Sequence, residues 1–187
     1  MISNRKRGWR TAFAVRFLVF PENRKGGKGF LSILKPDFRF EKITDIKAEL
    51  LLENKIKIVL LDADNTLSFH GSKKPFPGVP EWLSEIKKSG IVPVIISNNS
   101  ERRIKPFAKK LGLDYVSKSK KPLSKGFKSA LEKFGFEPGD SAVIGDQLFT
   151  DVLGGRILGA KVILTEPLGP ETDRFIKIKR FFEKPLR

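Results

Sequence analysis

The sequence of 187 residues predicts an α/β fold with three layers, in which helices cover both faces of a parallel sheet. Short apolar runs alternate along the chain with amphipathic stretches of helical period, which is the pattern of βαβ units. Two of the apolar runs, residues 58–61 and 142–144, end directly in carboxylates. Burying ionised carboxylates is costly, and open α/β sheets bind ligands at the carboxyl ends of their strands. The pattern therefore predicts a Rossmann-like sheet with an acidic site at one edge.

The strands are predicted from runs of Val, Ile and Leu that are too short for helices. In order, they are residues 56–61, 91–96, 113–116, 142–144 and 161–164.

Local start and stop signals set the bounds of the helices. Thr44 and Ser100 are capping residues, and Pro80 fits a first helical turn. Gly112 and Gly135 fit the residue after a helix end. In order, the predicted helices are residues 44–52, 81–88, 100–111, 124–134, 148–158 and 171–183, the last with Phe175, Ile178 and Phe182 facing inward.

Composition excludes several classes of site. The chain has no cysteine, so disulfides, thiolate metal sites and cysteine nucleophiles are excluded. A single histidine, His70, argues against a histidine-built metal site or a Ser-His triad. The net charge of +16 favours polyanionic partners such as nucleic acid, anionic lipid or phosphorylated substrates, or else reflects a lysine-rich, thermophile-like surface. No run approaches the roughly 20 apolar residues of a membrane span.

Charge divides the chain into a basic, aromatic N-terminal segment over residues 1–29 and a main domain over residues 30–187. Residues 1–40 hold ten basic residues against two acids. Trp9, Phe13, Phe17 and Phe20 recur at helical spacing, so the segment could lie in a membrane interface. The alternatives are a helix packed on the domain, a transit peptide or a plain basic tail.

Asp62 and Asp64 follow the first strand two residues apart and can therefore address one site. Asp62 suits a nucleophile that forms an aspartyl-phosphate, and Asp64 suits a general acid and base. The alternative is that such a pair has a purely structural role in a turn or a helix cap.

Further polar residues follow the other strands. Ser97 and Asn98 end the second strand, where a hydroxyl and backbone N–H groups bind phosphate well. Lys121 could neutralise phosphate charge, although residues alone do not decide between Lys120 and Lys121. Asp146 offers a second metal carboxylate, and Asp151 could brace the site.

In this order, these elements resemble the haloacid dehalogenase (HAD) superfamily of phosphotransferases. The segments LDADNTL, ISNNS, KKP and GDQLFTDVLGG are similar to its YqeG-like subgroup, of subclass IIIA, and to the related phosphatidylglycerophosphate phosphatases. The resemblance implies that Asp62 attacks phosphorus and that Asp64 is the acid and base. It implies Mg²⁺ bound by the Asp62 carboxylate, the Asp64 backbone carbonyl and Asp146. Ser97, Asn98 and Lys121 would hold the phosphoryl group, with Thr66 and Asp151 in support.

We therefore expect a capless HAD-like phosphatase, dependent on Mg²⁺, because no sizeable cap domain fits between the motifs. The expected substrate is an anionic phospholipid headgroup, with phosphatidylglycerophosphate as the best single example. The expected place is the cytoplasm, peripheral on the inner face of the membrane, or an organelle matrix if residues 1–29 are a transit peptide. The alternatives are a nucleic-acid- or ribosome-associated binding module and a phosphatase of small soluble phosphates.

Overall fold

Six strands form a single sheet in which every neighbouring pair is parallel. The computed structural model describes residues 30–169 together with Lys177 and Glu183. Its strands are β1 (Phe38–Phe40), β2 (Ile58–Leu61), β3 (Val92–Ile96), β4 (Asp114–Val116), β5 (Ser141–Gly145) and β6 (Lys161–Thr165). Their order across the sheet is β1-β6-β5-β2-β3-β4. Strand β2 is therefore central, between β3 and β5, and the carboxyl ends of these three strands lie side by side.

The first helix precedes the first strand, and the other helices lie in the connections between successive strands. In chain order, the helices are α1 (Phe30–Ile33), α2 (Ala48–Glu53), α3 (Val79–Lys88), α4 (Glu101–Leu111), α5 (Lys125–Phe134) and α6 (Leu153–Leu158). Short 3-10 turns span Ile43–Asp45 and Pro138–Asp140, and a π-helical turn spans Leu148–Val152.

The core lies on both faces of the central strand, because successive residues of a strand point to opposite sides. Val59 and Leu61 pack with Trp82 of α3 and Phe107 of α4. On the other face, Leu60 packs with the buried side chains of α5 and α6. All four residues of β2 are buried, which is usual for a strand of a parallel sheet covered by helices on both sides. The predicted three-layer α/β/α fold is confirmed.

The structure corrects some of the predicted elements. Strand β1 was not predicted, since three residues with a central arginine carry too little apolar signal. Thr44 lies in a 3-10 turn, and Lys47 precedes α2 as its N-cap, so the predicted helix over 44–52 is wrong at its start. The helix predicted over 148–158 is a π-helical turn followed by α6. The helix predicted over 171–183 and the segment 1–29 lie outside the described residues, apart from Lys177 and Glu183.

The connections at the carboxyl edge are short. Residues 62–78 join β2 to α3, residues 97–100 join β3 to α4, and residues 117–124 join β4 to α5. Within residues 30–169, no insertion is large enough for a cap domain, so the edge that carries the carboxylates is uncovered by a second domain. In the part of the chain that the structure describes, no helix is long and apolar enough to cross a membrane.

Candidate active site

The sheet order brings the two acidic clusters together. Leu61 of β2 pairs with Ile144 of β5, and the Asp62 N–H donates to the Ile144 carbonyl at 2.9 Å. Asp62 and Asp146 therefore leave neighbouring strands at the same level of the sheet. Both carboxylates are buried, and Asp146 has no exposed surface.

Lys121 joins the carboxylates into one buried cluster. Its Nζ lies 2.5 Å from Asp62 Oδ1 and 2.7 Å from Asp151 Oδ1. The neighbouring Lys120 is exposed, so the structure places Lys121, and not Lys120, between the carboxylates. Burial lowers the pKa of Lys121, but Asp151 and Asp62 together outweigh that effect and hold the pKa above its ordinary value. The ammonium is therefore a fixed positive charge.

For Asp62, burial outweighs the effect of its charged partner on the pKa. Burial raises its pKa to about 7, the attraction of Lys121 opposes this rise, and the nearby Asp151 adds to it. A buried carboxylate with a strongly raised pKa is what functional sites often contain.

Asp62, Asp146 and Asp151 have the chemistry of a site for a hard divalent cation. Each offers one carboxylate oxygen, and these oxygens all lie within 4.8 Å of one another. Magnesium prefers oxygen ligands such as these. When all three carboxylates are ionised, their charge exceeds the single positive charge of Lys121, and a divalent cation would offset the excess. The residues present therefore fit Mg²⁺.

Gly145 makes room for Asp151. A Cβ atom on Gly145 would lie 2.3 Å from the Asp151 carboxyl carbon, which is too close for two atoms that are not bonded to each other. The π-helical turn carries Asp151 back toward β5, and Asp151 Oδ2 accepts the Gln147 N–H at 3.2 Å. Glycine at the end of β5 is therefore needed for the carboxylate to reach Lys121.

Ser97 and Asn98 lie at the end of β3 beside the Lys121 loop. The Ser97 hydroxyl accepts the Asn99 N–H at 3.2 Å. The Asn98 side chain accepts the Lys121 N–H at 2.7 Å and donates to the Lys121 carbonyl at 3.2 Å. The amide of Asn98 therefore holds the backbone of Lys121. Phosphate binding by Ser97 and Asn98 remains a prediction.

The Asp64 carboxylate is held by three donors. Its Oδ2 accepts from Asn99 Nδ2 at 2.5 Å, and its Oδ1 accepts from Arg103 at 3.0 Å and from the Gly71 N–H at 2.9 Å. Nearby Thr66 is buried, and its hydroxyl has no hydrogen-bond partner among the described residues.

Asn99 and Arg103 were not predicted as site residues. In the sequence, Asn99 reads as a capping residue and Arg103 as a residue of a basic helix surface. The available signal was their position, because both lie close to the start of α4 at the carboxyl end of β3.

The fold and this cluster define the class of protein. A family model described as haloacid dehalogenase-like hydrolase matches residues 24–159. The chain therefore belongs to the haloacid dehalogenase-like hydrolases.

Several individual proteins within and beyond this family are similar to the chain in sequence or in fold. The chain is 40% identical over 151 residues to "Probable phosphatase YqeG" of Bacillus subtilis, an alignment that covers 81% of this chain and 88% of that protein. It is 30% identical over 116 residues to a glyceraldehyde 3-phosphate phosphatase of Pyrococcus furiosus, covering 54% of this chain and 48% of that one. An uncharacterized protein from Listeria monocytogenes shares the fold, with a TM-score of 0.51 and 18% identity over 64% of this chain and 84% of that one.

Proposed function

We propose that this chain is a phosphomonoesterase that acts through an aspartyl-phosphate on Asp62. The observation that carries the proposal is the buried arrangement of Asp62, Lys121 and Asp151, with Asp64 two residues further along the same loop. A purely structural ion pair would need neither a third carboxylate nor a strand end. Membership of a hydrolase family, and relatives named as phosphatases, support the reaction type.

In the first step, an Asp62 carboxylate oxygen attacks phosphorus, and the bond from phosphorus to the ester oxygen breaks. The ester oxygen leaves with the bonding electron pair and takes a proton from Asp64, so an alcohol departs. Lys121 carries a fixed positive charge beside Asp62 and would stabilise the negative charge that develops on the phosphoryl oxygens. The Ser97 hydroxyl would bind one of these oxygens.

In the second step, Asp64 takes a proton from water as the water oxygen attacks phosphorus. The bond from phosphorus to Asp62 breaks, inorganic phosphate leaves and both carboxyl groups return to their starting states. Lys121 neutralises Asp62 as it is released. Thr66 and Asp151 would support this arrangement, Asp151 through its ion pair with the lysine.

Mg²⁺ is the proposed cofactor. The Asp62 and Asp146 carboxylates and the Asp64 backbone carbonyl would hold it, with Asp151 close enough to contribute. When bound, it supplies charge neutralisation for the phosphoryl group and the nucleophile.

The proposed substrate is a phosphorylated lipid headgroup, with phosphatidylglycerophosphate as the leading candidate. The carboxyl edge is not covered by a cap domain within residues 30–169, which suits a bulky or membrane-bound ester. A groove of about 260 Å³ opens beside the loop that follows Asp64 and is lined mainly by apolar side chains, with the exposed Lys42 at its border. Phe69 of this groove and Leu123, two residues after Lys121, expose apolar surface. Such surface suits the apolar part of a lipid substrate.

The proposal is tested by phosphate release from phosphatidylglycerophosphate in mixed micelles with Mg²⁺, comparing wild type with Asp62→Asn. We expect turnover that falls by orders of magnitude in the variant and that stops when a chelator removes the metal. Turnover that persists in Asp62→Asn would overturn the assignment of the nucleophile. Asp62-dependent turnover of soluble aryl phosphate alone would keep the phosphatase and reject the lipid substrate.

The proposed peripheral membrane contact is tested separately with vesicles of anionic lipid. We expect binding by the full chain that is lost when residues 1–29 are deleted, because that basic, aromatic segment would supply the attraction. Tight, steeply salt-dependent binding to RNA that survives the deletion would instead favour a nucleic-acid-binding module.

A further inference from the structure

Arg103 of α4 reaches the loop of residues 62–78, which carries Asp62 and Asp64. One of its terminal nitrogens lies 3.0 Å from Asp64 Oδ1 and 2.6 Å from the Ser72 carbonyl oxygen. Its guanidinium also lies over the ring of Phe107, 5.5 Å from the ring centre. Because Phe107 is fully buried in the core, the arginine is anchored at a fixed place on the helix.

The second terminal nitrogen of Arg103 is buried without a hydrogen-bond partner among the described residues. Leaving a buried donor unpaired is unfavourable, so the guanidinium is not arranged for stability alone. Its one satisfied terminal nitrogen is directed at Asp64 and at the loop that follows it.

Asp64 and its loop form one unit that Arg103 fastens to the helix. Isolated backbone β-bridges join Asp64 to Ser68 and Ser68 to Pro75, so residues 64–75 fold back on themselves. The Gly71 N–H closes this unit by donating to Asp64 Oδ1. Arg103 bonds both the carboxylate and the neighbouring Ser72 carbonyl, and it therefore limits how Asp64 can rotate.

We infer that Arg103 is a positioning residue that orients the Asp64 carboxyl group toward the leaving oxygen of the substrate. It acts through Asp64 and makes no contact with the transferred phosphoryl group. The inference rests on the proposed function, since it gives Asp64 the role of proton donor.

The inference predicts a dependence on the leaving group. An alkyl alcohol is a poor leaving group and needs a proton from Asp64, whereas nitrophenolate leaves without one. The value of kcat/KM reports only the steps up to the first irreversible one, here loss of the leaving group. A misplaced Asp64 should therefore lower kcat/KM for an alkyl phosphate and leave kcat/KM for p-nitrophenyl phosphate near that of wild type.

The test compares Arg103→Ala and Arg103→Lys with Arg102→Ala, a matched control at the adjacent exposed arginine. We expect Arg103→Ala to lower kcat/KM for the alkyl ester by about 10- to 100-fold, the range for a displaced general acid. Arg103→Lys should recover part of this loss, and Arg102→Ala should match wild type. An equal loss on both esters would overturn the inference, because it would mean contact with the phosphoryl group or general damage to the fold.

A double variant separates action through Asp64 from an independent effect. Adding Arg103→Ala to Asp64→Asn should cost the alkyl ester nothing further, because the group that Arg103 orients is already inactive. Multiplicative losses would overturn the inference. If Arg103→Ala does not fold, Arg103→Lys with Asp64→Asn provides the same comparison. A wild type without Asp62-dependent turnover of either ester would refute the proposed function itself, a result distinct from every outcome for Arg103.

Discussion

Asp62 shows how burial and charge compete at a single residue. Its carboxylate lies 2.5 Å from the Lys121 ammonium, a contact that by itself would favour ionisation. Burial and the nearby Asp151 outweigh this attraction and raise its pKa to about 7. Near neutral pH, Asp62 in the metal-free protein is therefore close to the balance between its charged and neutral forms. A bound cation would favour the charged form, which is the proposed nucleophile.

This balance predicts how the stability of the metal-free protein depends on pH. Between about pH 4 and pH 7, native Asp62 retains a proton that the unfolded chain releases. The contribution of Asp62 to the free energy of unfolding is therefore full below this window and is lost as pH rises through it. Urea unfolding in the presence of a chelator should show the loss in wild type and a flatter dependence in Asp62→Asn.

Glu85→Gln serves as the matched control, because Glu85 is an exposed acid on α3. Its pH dependence should follow that of wild type. Equal slopes in wild type and Asp62→Asn would contradict the assignment of the raised pKa to Asp62.

At the scale of elements, the end of β5 and the π-helical turn after it act together. The turn returns Asp151 to the strand, and the absence of a side chain on Gly145 lets the carboxylate lie against the backbone. Asp151 then contacts the same Lys121 ammonium that Asp62 contacts. The lysine is thus fixed by two elements that are distant in sequence.

Gly145→Ala should damage the site through this contact. The added methyl group would lie 2.3 Å from the Asp151 carboxyl carbon, so Asp151 must shift, and we expect the shift to weaken its contact with Lys121. We expect a loss of kcat of about 100-fold and a loss of stability of about 1–3 kcal/mol, measured by turnover and urea unfolding.

Gly139→Ala is the control, because an added methyl group there has no neighbour within 4 Å. It should change stability by no more than about 0.5 kcal/mol and leave turnover unchanged. Wild-type turnover in Gly145→Ala would show that Asp151 has no part in holding Lys121.

Some elements and site residues could be predicted from the sequence, and others could not. The positions of Asp62 and Asp146 at one edge of the sheet were predictable, because each residue follows an apolar run and parallel strands end at the same edge. Strand β1 was not, because its three residues carry little apolar signal and its partner strand β6 lies more than a hundred positions further along the chain. Arg103 escaped prediction for the same reason: its contact with Asp64 spans 39 positions, and its helix is otherwise rich in lysine and arginine.

At the scale of the whole molecule, the strand order accounts for the site. Placing β2 between β3 and β5 brings three separate loops to one edge, and each loop contributes a different group. Asp62 and Asp64 come from the first loop, Ser97 from the second and Asp146 from the third. Lys121 arrives from the loop after β4, where Asn98 holds its backbone. No local segment contains the site, so its assembly depends on the complete sheet.

A pre-steady-state reaction of Asp64→Asn with excess p-nitrophenyl phosphate and Mg²⁺ would show directly whether Asp62 is the nucleophile. Nitrophenolate leaves without a proton donor, but attack by water needs Asp64 as the base, so the phosphorylated enzyme should accumulate. We predict a burst of about one nitrophenolate per protein molecule and a peptide phosphorylated at Asp62, identified by mass spectrometry. Steady turnover without a burst or phosphorylated peptide, or phosphorylation at a residue other than Asp62, would contradict the account.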